Sequence, residues 1–196
     1  MVTNVGRPLE FDPNTALEAA MHQFWSGGYE HTSMQDLLTA MNLSKSSLYQ
    51  AFGSKRQLFR RCMGRYADQL AGQLRQGLAE APSGWRFIED FLHSVLRDLA
   101  GTPRGCLVMN TASELGQSEP EIARDVSQSI GRFREVLQAA VERAQREGRI
   151  APERDARILA SYLVSSMSGL KTQAKAGADA ETLKGIIAVI LKALAA

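Results

Sequence analysis

The chain has 196 residues, enough to bury a substantial core and to form one large domain or two modest ones. Its net charge of +2 does not by itself indicate a nucleic-acid-binding protein, but residues 1–65 hold seven Lys/Arg against five Asp/Glu, whereas the remainder holds sixteen of each. Because two cysteines are too few for a disulfide framework, no leader peptide is recognisable and no apolar stretch is long enough to span a membrane, we expect a soluble, cytoplasmic protein.

The first elements predicted are an N-terminal arm and a helix. Residues 1–8 are expected to be flexible, and Arg7 among them either reaches into a DNA minor groove or is a solvated tail charge. A helix then begins at Asp12 or Pro13, because apolar residues recur there at helical spacing, and it ends at the following pair of glycines.

Two short helices separated by a turn are predicted next. Thr32 or Ser33 can cap the first of them, whose apolar residues are spaced three and four apart. Asn42 lies where the chain must turn, and asparagine tolerates a left-handed backbone better than most residues. The second helix begins at Ser44 or Lys45 and ends before a glycine.

The positive charge of this segment is concentrated after the turn. No acidic residue occurs between Leu37 and Ala67, but six cations do: Lys45, Lys55, Arg56, Arg60, Arg61 and Arg65. The face of the second helix that does not bury Leu48 and Phe52 carries hydroxyl and amide groups and a lysine, which suit base edges and phosphates. A helical pair followed by such a stretch is typical of a unit that reads the DNA major groove.

We therefore predict two groups of DNA-contacting residues. Those nearest the bases are Lys45, Ser46, Ser47 and Gln50. Those nearest the phosphates are Thr32, Ser33, Tyr49 and Lys55. The alternative is a helical hairpin whose charges are merely solvated.

The spacing of individual residues in this segment is specific. The pattern comprises Phe24, Gly28, Tyr29, Thr32, Ser33, Leu43-Ser44-Lys45, Leu48, Tyr49, Phe52, Ser54, Lys55, Leu58 and Phe59. At these positions, over roughly residues 7–60, the chain resembles the TetR/AcrR family of dimeric bacterial transcriptional regulators. The chain departs from the family at three positions: Asn42 and Ser46 stand where glycine is frequent, and Ala51 stands where a larger residue is common. Of these departures, Ser46 can alter which bases are read.

An N-terminal arm and helix-turn-helix domain of residues 1–54 is predicted to precede a helical regulatory and dimerisation domain of residues 55–196. Helices of the second domain are expected at about 55–80, 85–100, 105–115, from the acidic turn at 118–121 to 148, 152–176 and 179–195. Ser54 is predicted to cap the first of them, with Gln57 at the capping-box position. Because no strand signal is present, we predict an all-α fold, with a three-helix DNA-binding unit and a larger helical body.

The last two predicted helices carry broad apolar stripes. The first stripe comprises Ile158, Leu159, Tyr162, Leu163, Ser166, Met167 and Leu170, and the second comprises Leu183, Ile186, Ile187, Ile190, Leu191 and Leu194. Such stripes must be covered, either within the chain or by another molecule. The family resemblance implies a four-helix bundle with a second copy, so we expect a homodimer through residues of about 152–195, which a two-fold DNA site also favours.

The helical body is larger than dimerisation alone requires. The resemblance implies that it holds a small effector that changes the spacing of the two recognition helices. Candidate effector-binding residues are Trp85, Phe91, Cys106, Met109, Asn110, Phe133 and Tyr162, with Tyr66, Phe87 and Glu114 as further lining candidates. The alternative for each of them is an ordinary core residue, because aromatic stripes on helices mostly pack.

Cys106 is the most specific of these candidates. It is predicted at the start of a helix after a glycine-containing break, with Arg104 two residues earlier. A helix N-terminus and a guanidinium both stabilise the thiolate, the reactive form, so Cys106 could sense electrophiles or oxidants. The alternative is a small packing residue, and Cys62 is expected to be structural.

An enzymatic function is not indicated. The three histidines are scattered, and the sequence has neither a metal-ligand pair nor a glycine-rich phosphate loop. We therefore predict no catalytic residue, cofactor or metal. The expected partners are a double-stranded DNA operator, a second copy of the chain and an unidentified effector. We predict a repressor released from a palindromic operator by a small molecule or by modification of Cys106; a DNA-binding architectural protein without an effector is the alternative.

Overall fold

A computed structural model describes residues 11–195 of the chain. The predicted arm at residues 1–8, with Arg7, lies outside the described residues. Every regular element in the described part is a helix, which confirms the all-α prediction. The helices are α1 (Pro13–Gly27), α2 (Met34–Met41), α3 (Lys45–Phe52), α4 (Lys55–Glu80), α5 (Gly84–His93), α6 (Val95–Asp98), α7 (Leu107–Leu115), α8 (Pro120–Arg146), α9 (Ala156–Lys175) and α10 (Ala180–Leu194).

The described residues up to Gly64 form one compact unit. Its core is assembled from α1 to α3 and the first turns of α4, and it includes Phe24, Leu37, Leu48 and Phe59, all of which are almost fully buried. The rings of Phe24 and Phe59 meet edge to face with their centroids 4.9 Å apart, a geometry that aromatic pairs prefer. This unit therefore has its own hydrophobic core.

The capping signals around α4 are confirmed. The Ser54 N–H donates to the Gln57 side-chain oxygen at 2.9 Å, and the Gln57 N–H donates to the Ser54 hydroxyl at 3.2 Å, which is the predicted capping box. Helix α4 also has the predicted bounds. The division between the two compact units falls inside this helix, between Gly64 and Arg65, because its first turns contribute to the first core.

The second unit begins at Arg65 and is built around α8 and α9. The turn between α4 and α5 is held to α8 by Arg143, whose guanidinium donates to the carbonyl oxygens of Leu78, Ala81 and Pro82 at 3.0–3.1 Å. Gly84 follows this turn, and a Cβ there would lie 2.5 Å from the Ala140 carbonyl oxygen. Only glycine allows α5 to approach the α8 backbone this closely.

The predicted helix at 85–100 is divided in two. Helix α5 ends at His93 and α6 begins at Val95. At the break, the Ser94 hydroxyl donates to the Phe91 carbonyl oxygen at 2.7 Å, so this side chain takes up an acceptor of the last turn of α5. The break brings Ser94 to a cavity described below.

Four of the six residues in the predicted apolar stripe of α10 are buried within the chain, whereas Ile186 and Leu191 are half-buried; the homodimer remains a prediction. Leu183, Ile187, Ile190 and Leu194 are all buried in a single chain because α10 packs against α9 and α5. The large apolar side chains that α9 and α10 leave exposed are Ile158 at 63%, Tyr162 at 38% and Val189 at 67%. None of the helices within residues 11–195 has the length and apolar character needed to cross a bilayer.

Candidate functional site

Helices α2 and α3 are joined by a turn centred on Asn42. Asn42 has φ 53° and ψ 46°, the left-handed conformation that its predicted position requires. The Leu43 N–H reaches back to the Leu38 carbonyl at 3.0 Å and closes the end of α2. Ser44 then caps α3 by accepting a hydrogen bond from the Ser47 N–H at 3.1 Å. These contacts give a compact helix-turn-helix.

Helix α3 separates its buried and exposed side chains as predicted. Leu48 and Phe52 are buried in the unit, whereas the candidate DNA-contacting side chains that belong to α3 lie on its other faces. Lys45, Ser46, Tyr49 and Gln50 are exposed, and Ser47 is half-buried. The exposed surface of α3 thus offers a cation, hydroxyl groups and an amide on a rigid helix.

Ser44 was not among the predicted contact residues, yet it orders two that were. Its Oγ lies 2.9 Å from the Ser46 Oγ and 2.8 Å from the Ser47 Oγ. The three hydroxyl groups are therefore linked at the N-terminus of α3, where backbone N–H groups also favour an anion. The sequence indicated that the helix begins at Ser44 or Lys45, but it did not indicate this linkage.

The two residues before α2 are placed differently from each other. Thr32 is 1% exposed and its hydroxyl donates to the Gly28 carbonyl oxygen at 2.6 Å, so its side chain joins α1 to α2 instead of facing solvent. Burial therefore argues against the predicted contact between the Thr32 hydroxyl and a phosphate. Ser33 is exposed and forms a capping box with Asp36, and the Ser33 hydroxyl, followed by its backbone N–H, lowers the pKa of Asp36.

Lys55 is held in place by an aromatic platform. Its Nζ lies 4.4 Å from the centroid of the Tyr29 ring, within the range of a cation–π interaction. Tyr29 in turn contacts Phe59, with ring centroids 4.9 Å apart. The ammonium of the first residue of α4 is thus fixed next to the end of α3. Arg61, another of the six cations, donates to the Ala51 carbonyl at 3.0 Å at that same helix end.

The second unit contains a cavity of about 100 Å³. It lies among α4, α5, α7, α8 and α9, and its walls are mostly apolar. The lining residues are Leu70, Leu74, Phe91, Ser94, Cys106, Met109, Phe133, Leu137, Val164, Met167, Ser168 and Lys171. Four of the predicted effector-binding residues are brought together here, namely Phe91, Cys106, Met109 and Phe133.

The other three predicted effector-binding residues lie outside this lining. Trp85 is buried, and its indole N–H donates to the Glu89 carboxylate at 2.9 Å, so it has a packing role. The Asn110 amide donates to the Arg104 carbonyl at 2.9 Å and holds the loop before α7. Tyr162 lies on the exposed side of α9.

Cys106 is the N-cap residue of α7 and is 8% exposed. The Tyr66 hydroxyl donates a hydrogen bond to its thiol and accepts one from the Leu107 N–H. Burial and then the adjacent Cys106 thiol raise the pKa of Tyr66, so its phenol remains protonated and available as a donor. Since Tyr66 belongs to α4, the thiol in the cavity wall is hydrogen-bonded to the helix that starts at Lys55.

A wider groove adjoins the cavity. Its volume is about 550 Å³, and Phe91, Ser94 and Lys171 line both spaces together with two leucines of α4. The Lys171 ammonium pairs with the Asp98 carboxylate at 2.8 Å, and Asp98 lines the groove. Sequence reasoning missed Lys171, although it continues the i, i+4 progression of the buried Leu163 and Met167 on α9.

Two family models match the chain over most of its length. Residues 16–62 match the model described as bacterial regulatory proteins, tetR family, and residues 85–190 match the tetracyclin repressor-like C-terminal domain. The chain is 32% identical over 190 residues to the HTH-type transcriptional repressor ComR of Escherichia coli (strain K12), covering 95% of this chain and 90% of ComR. It is 31% identical over 193 residues to the HTH-type transcriptional regulator YezE of Bacillus subtilis (strain 168), covering 97% and 100%.

The fold is also similar to a solved structure of the TetR family transcriptional regulator CifR, a cysteine mutant complexed with 26-bp double-strand operator DNA. The TM-score is 0.82 at 34% sequence identity, and the match covers 96% of this chain and 100% of that one. The helix-turn-helix and the helical second unit thus both have counterparts in known regulators. The chain belongs to the TetR family of bacterial regulatory proteins and is a DNA-binding transcriptional regulator, not an enzyme.

Proposed function

We propose that this protein is a homodimeric, cytoplasmic repressor that leaves a palindromic operator when a small molecule fills the cavity or when Cys106 is modified. The observation that carries the proposal is the cavity itself, because it combines apolar walls with a thiol and lies in the unit that does not read DNA. The names of two relatives add support, since ComR is a repressor and CifR is complexed with operator DNA.

In this proposal α3 enters the major groove and its exposed side chains contact the bases. Replacing Gln50 by Ala should change the preference between operator variants by about 1–3 kcal/mol at one base pair, because a side-chain amide can form two hydrogen bonds with adenine. Binding of native and variant proteins to a set of single-base operator variants measures this. An unchanged ranking of the operators would show that Gln50 does not read a base.

The proposed homodimer uses α9 and α10, with Ile158, Tyr162 and Val189 as the exposed apolar side chains that need cover. Replacing Ile158 and Val189 by Asp places charge in that interface, so sedimentation should show monomer and operator binding should fall. The buried Ile187 is unsuitable for this test, since a charge there would unfold the chain itself. Gln128→Asp, on the exposed surface of α8, is the control. A double variant that remains a dimer would locate the interface elsewhere.

Modification of Cys106 offers a covalent route to release. A quinone would react by conjugate addition: a bond forms from Sγ to a ring carbon as the C=C π bond breaks, and the thiol proton passes to one quinone oxygen. The hydrogen on the attacked ring carbon then moves to the other oxygen, giving a hydroquinone thioether. The added group is larger than a cavity of about 100 Å³ can hold, so it would strain the surrounding helices and displace the hydrogen bond from Tyr66, which lies on α4. We propose that this strain reaches the DNA-binding unit through α4.

The test compares operator affinity before and after a quinone or mild peroxide in the native chain and in Cys106→Ser. Loss of binding in the native chain alone supports direct thiol sensing. If the native chain keeps full affinity, or if the Ser variant responds equally, Cys106 is a packing residue and release depends on a non-covalent ligand. The alternative function, an architectural DNA-binding protein, predicts similar affinity for many sequences and no release by any compound.

A further inference from the structure

The polar edge of the cavity has a specific hydrogen-bonding character. Among the described residues that line it, Lys171 is the only charged one, and Ser94 and Ser168 are the hydroxyl-bearing ones. An ammonium has three N–H donors and no acceptor. One of the three is directed to Asp98, so two donors of Lys171 are left for a ligand. The edge therefore suits a ligand group that accepts hydrogen bonds.

The two serine hydroxyls at this edge, Ser94 and Ser168, differ in whether they can donate to a ligand. The Ser94 hydroxyl proton is already donated to the Phe91 carbonyl oxygen. Ser168 has no hydrogen-bond partner for its hydroxyl within residues 11–195, so this group can donate to a ligand as well. Ser168 and Lys171 lie three residues apart on α9 and hence on the same side of the helix. Their donors can converge on one acceptor atom.

The charge of Lys171 is already compensated. Its Nζ is 2.8 Å from the Asp98 carboxylate, and the two side chains are only 21% and 37% exposed. An anionic ligand would have to displace Asp98 or lie close to it, and a cationic ligand would meet the ammonium. A neutral acceptor avoids both penalties, because it can use the two remaining N–H donors without disturbing the ion pair.

We propose that the cavity binds small neutral carbonyl compounds, with the carbonyl oxygen at Lys171 and Ser168 and the apolar part between Met109, Phe133 and Leu137. The inference rests on the proposed effector function of this cavity and names the chemical class of its ligand. The wider groove, which shares Phe91, Ser94 and Lys171 with the cavity, is the entry path for the ligand. The carbonyl end of the ligand then lies where the groove meets the cavity.

The size of the cavity limits the apolar part of the ligand. An apolar cavity of ~150 Å³ accommodates a benzene-sized molecule of six non-hydrogen atoms. The cavity here, at about 100 Å³, suits about four such atoms. A short ketone such as 2-pentanone therefore fits, with its propyl group inside and its carbonyl at the edge.

The experiment uses the full chain with methyl-labelled methionine and follows the methyl resonances by NMR. Met109 and Met167 line the cavity and report on its occupancy, while Met21 and Met41 lie in the first unit and serve as internal controls. The probes are 2-pentanone, pentanoate and pentylamine, which share a five-carbon skeleton and differ in charge. The ketone should shift the two cavity methyls and bind about ten-fold more tightly than either charged compound.

Two variants test the assigned roles of the ion pair. Lys171→Met removes the donors and should weaken 2-pentanone binding about ten-fold, whereas Lys175→Met, in the exposed last turn of α9, should leave it unchanged. Asp98→Asn removes the compensating charge, so the preference should reverse and pentanoate should become the tightest of the three probes.

Several results would overturn the inference even if a variant fails to fold. Equal binding of the three probes to the native chain, tighter binding of a charged probe, or no shift of Met109 and Met167 with any probe would each do so. Operator affinity is measured separately. Binding of the ketone without release of DNA would support the ligand class and contradict the proposed effector role, so the two proposals can fail independently.

Discussion

Replacement of Lys55 by Ala tests whether this residue contacts a phosphate, as we propose. The side chain is half-buried on the Tyr29 ring, so truncation also removes a cation–π contact. That loss should lower the free energy of unfolding by only about 0.5–1 kcal/mol, small compared with the total of a folded domain. The variant should therefore remain folded, and its DNA binding can be interpreted.

The expected effect on DNA binding follows from counterion release. Each phosphate neutralised by a lysine contributes about 0.9 to the slope of log affinity against log salt, so a symmetric dimer should lose about 1.8 from its slope. When the salt concentration rises from 50 to 200 mM, the fold reduction in affinity should consequently be about twelve times smaller for the variant than for the native protein. The reduction in affinity at low salt should be similar for all DNA sequences, because phosphates carry no sequence information.

The assay is fluorescence anisotropy with a labelled operator at four salt concentrations, with thermal unfolding as the check on folding. Arg124→Ala, at an exposed position of α8, is the charge-matched control and should keep the native slope. Tyr29→Leu retains the Lys55 charge but removes its platform, so it should weaken binding with little change in slope. A native slope in Lys55→Ala would refute the phosphate contact.

Three further substitutions probe the positions that shape the two units. Ser44→Ala should lower the free energy of unfolding by about 1 kcal/mol through loss of the α3 cap and should weaken operator binding; native stability would show that the cap is dispensable. Gly84→Ala should lower the free energy of unfolding by about 1–3 kcal/mol, because the added methyl group overpacks against α8. Gly72→Ala is the control, since Gly72 has open space around it in α4, and it should be neutral or stabilising. Equal effects of the two substitutions in thermal melts would contradict the close approach of α5 to α8. Tyr66→Phe should lower the free energy of unfolding by about 1–2 kcal/mol, because it leaves the Leu107 N–H and the Cys106 thiol without their hydrogen-bond partner. The control Tyr49→Phe, at an exposed position, should leave the melting temperature unchanged.

The sequence predicted best those features that depend on local signals. The left-handed Asn42, the start of α3 at Ser44 or Lys45 and the Ser54–Gln57 capping box are each specified by a few neighbouring residues, and all three were found. The bounds of α4 follow from the same kind of signal. Local chemistry of this kind depends on residues that are neighbours in the chain, which is why it can be recognised in a single sequence.

Features set by tertiary packing were predicted less well. The hydroxyl of Thr32 is of a kind that often contacts phosphates. In the fold, however, the turn between α1 and α2 buries this side chain, and its hydroxyl donates to the Gly28 carbonyl oxygen. The stripe of α10 is equally apolar whether its own chain or another covers it, so its burial by α9 and α5 could not be deduced. The cavity next to Lys171 exists because five helices fail to fill one space, and this depends on side-chain shapes that periodicity does not report.

The position of the unit boundary inside α4 has a consequence for building chimeric regulators. Grafting this DNA-binding unit onto another sensory body would require a splice between Gly64 and Arg65, in the middle of a continuous helix. An insertion of one residue there would turn the side chains that follow by about 100° around the helix axis and advance them by about 1.5 Å. Donor and acceptor helices must therefore be joined in the same helical phase. Changes in length of about 7 or about 11 residues keep that phase to within about 20°, and a change of about 18 residues, five full turns, restores it.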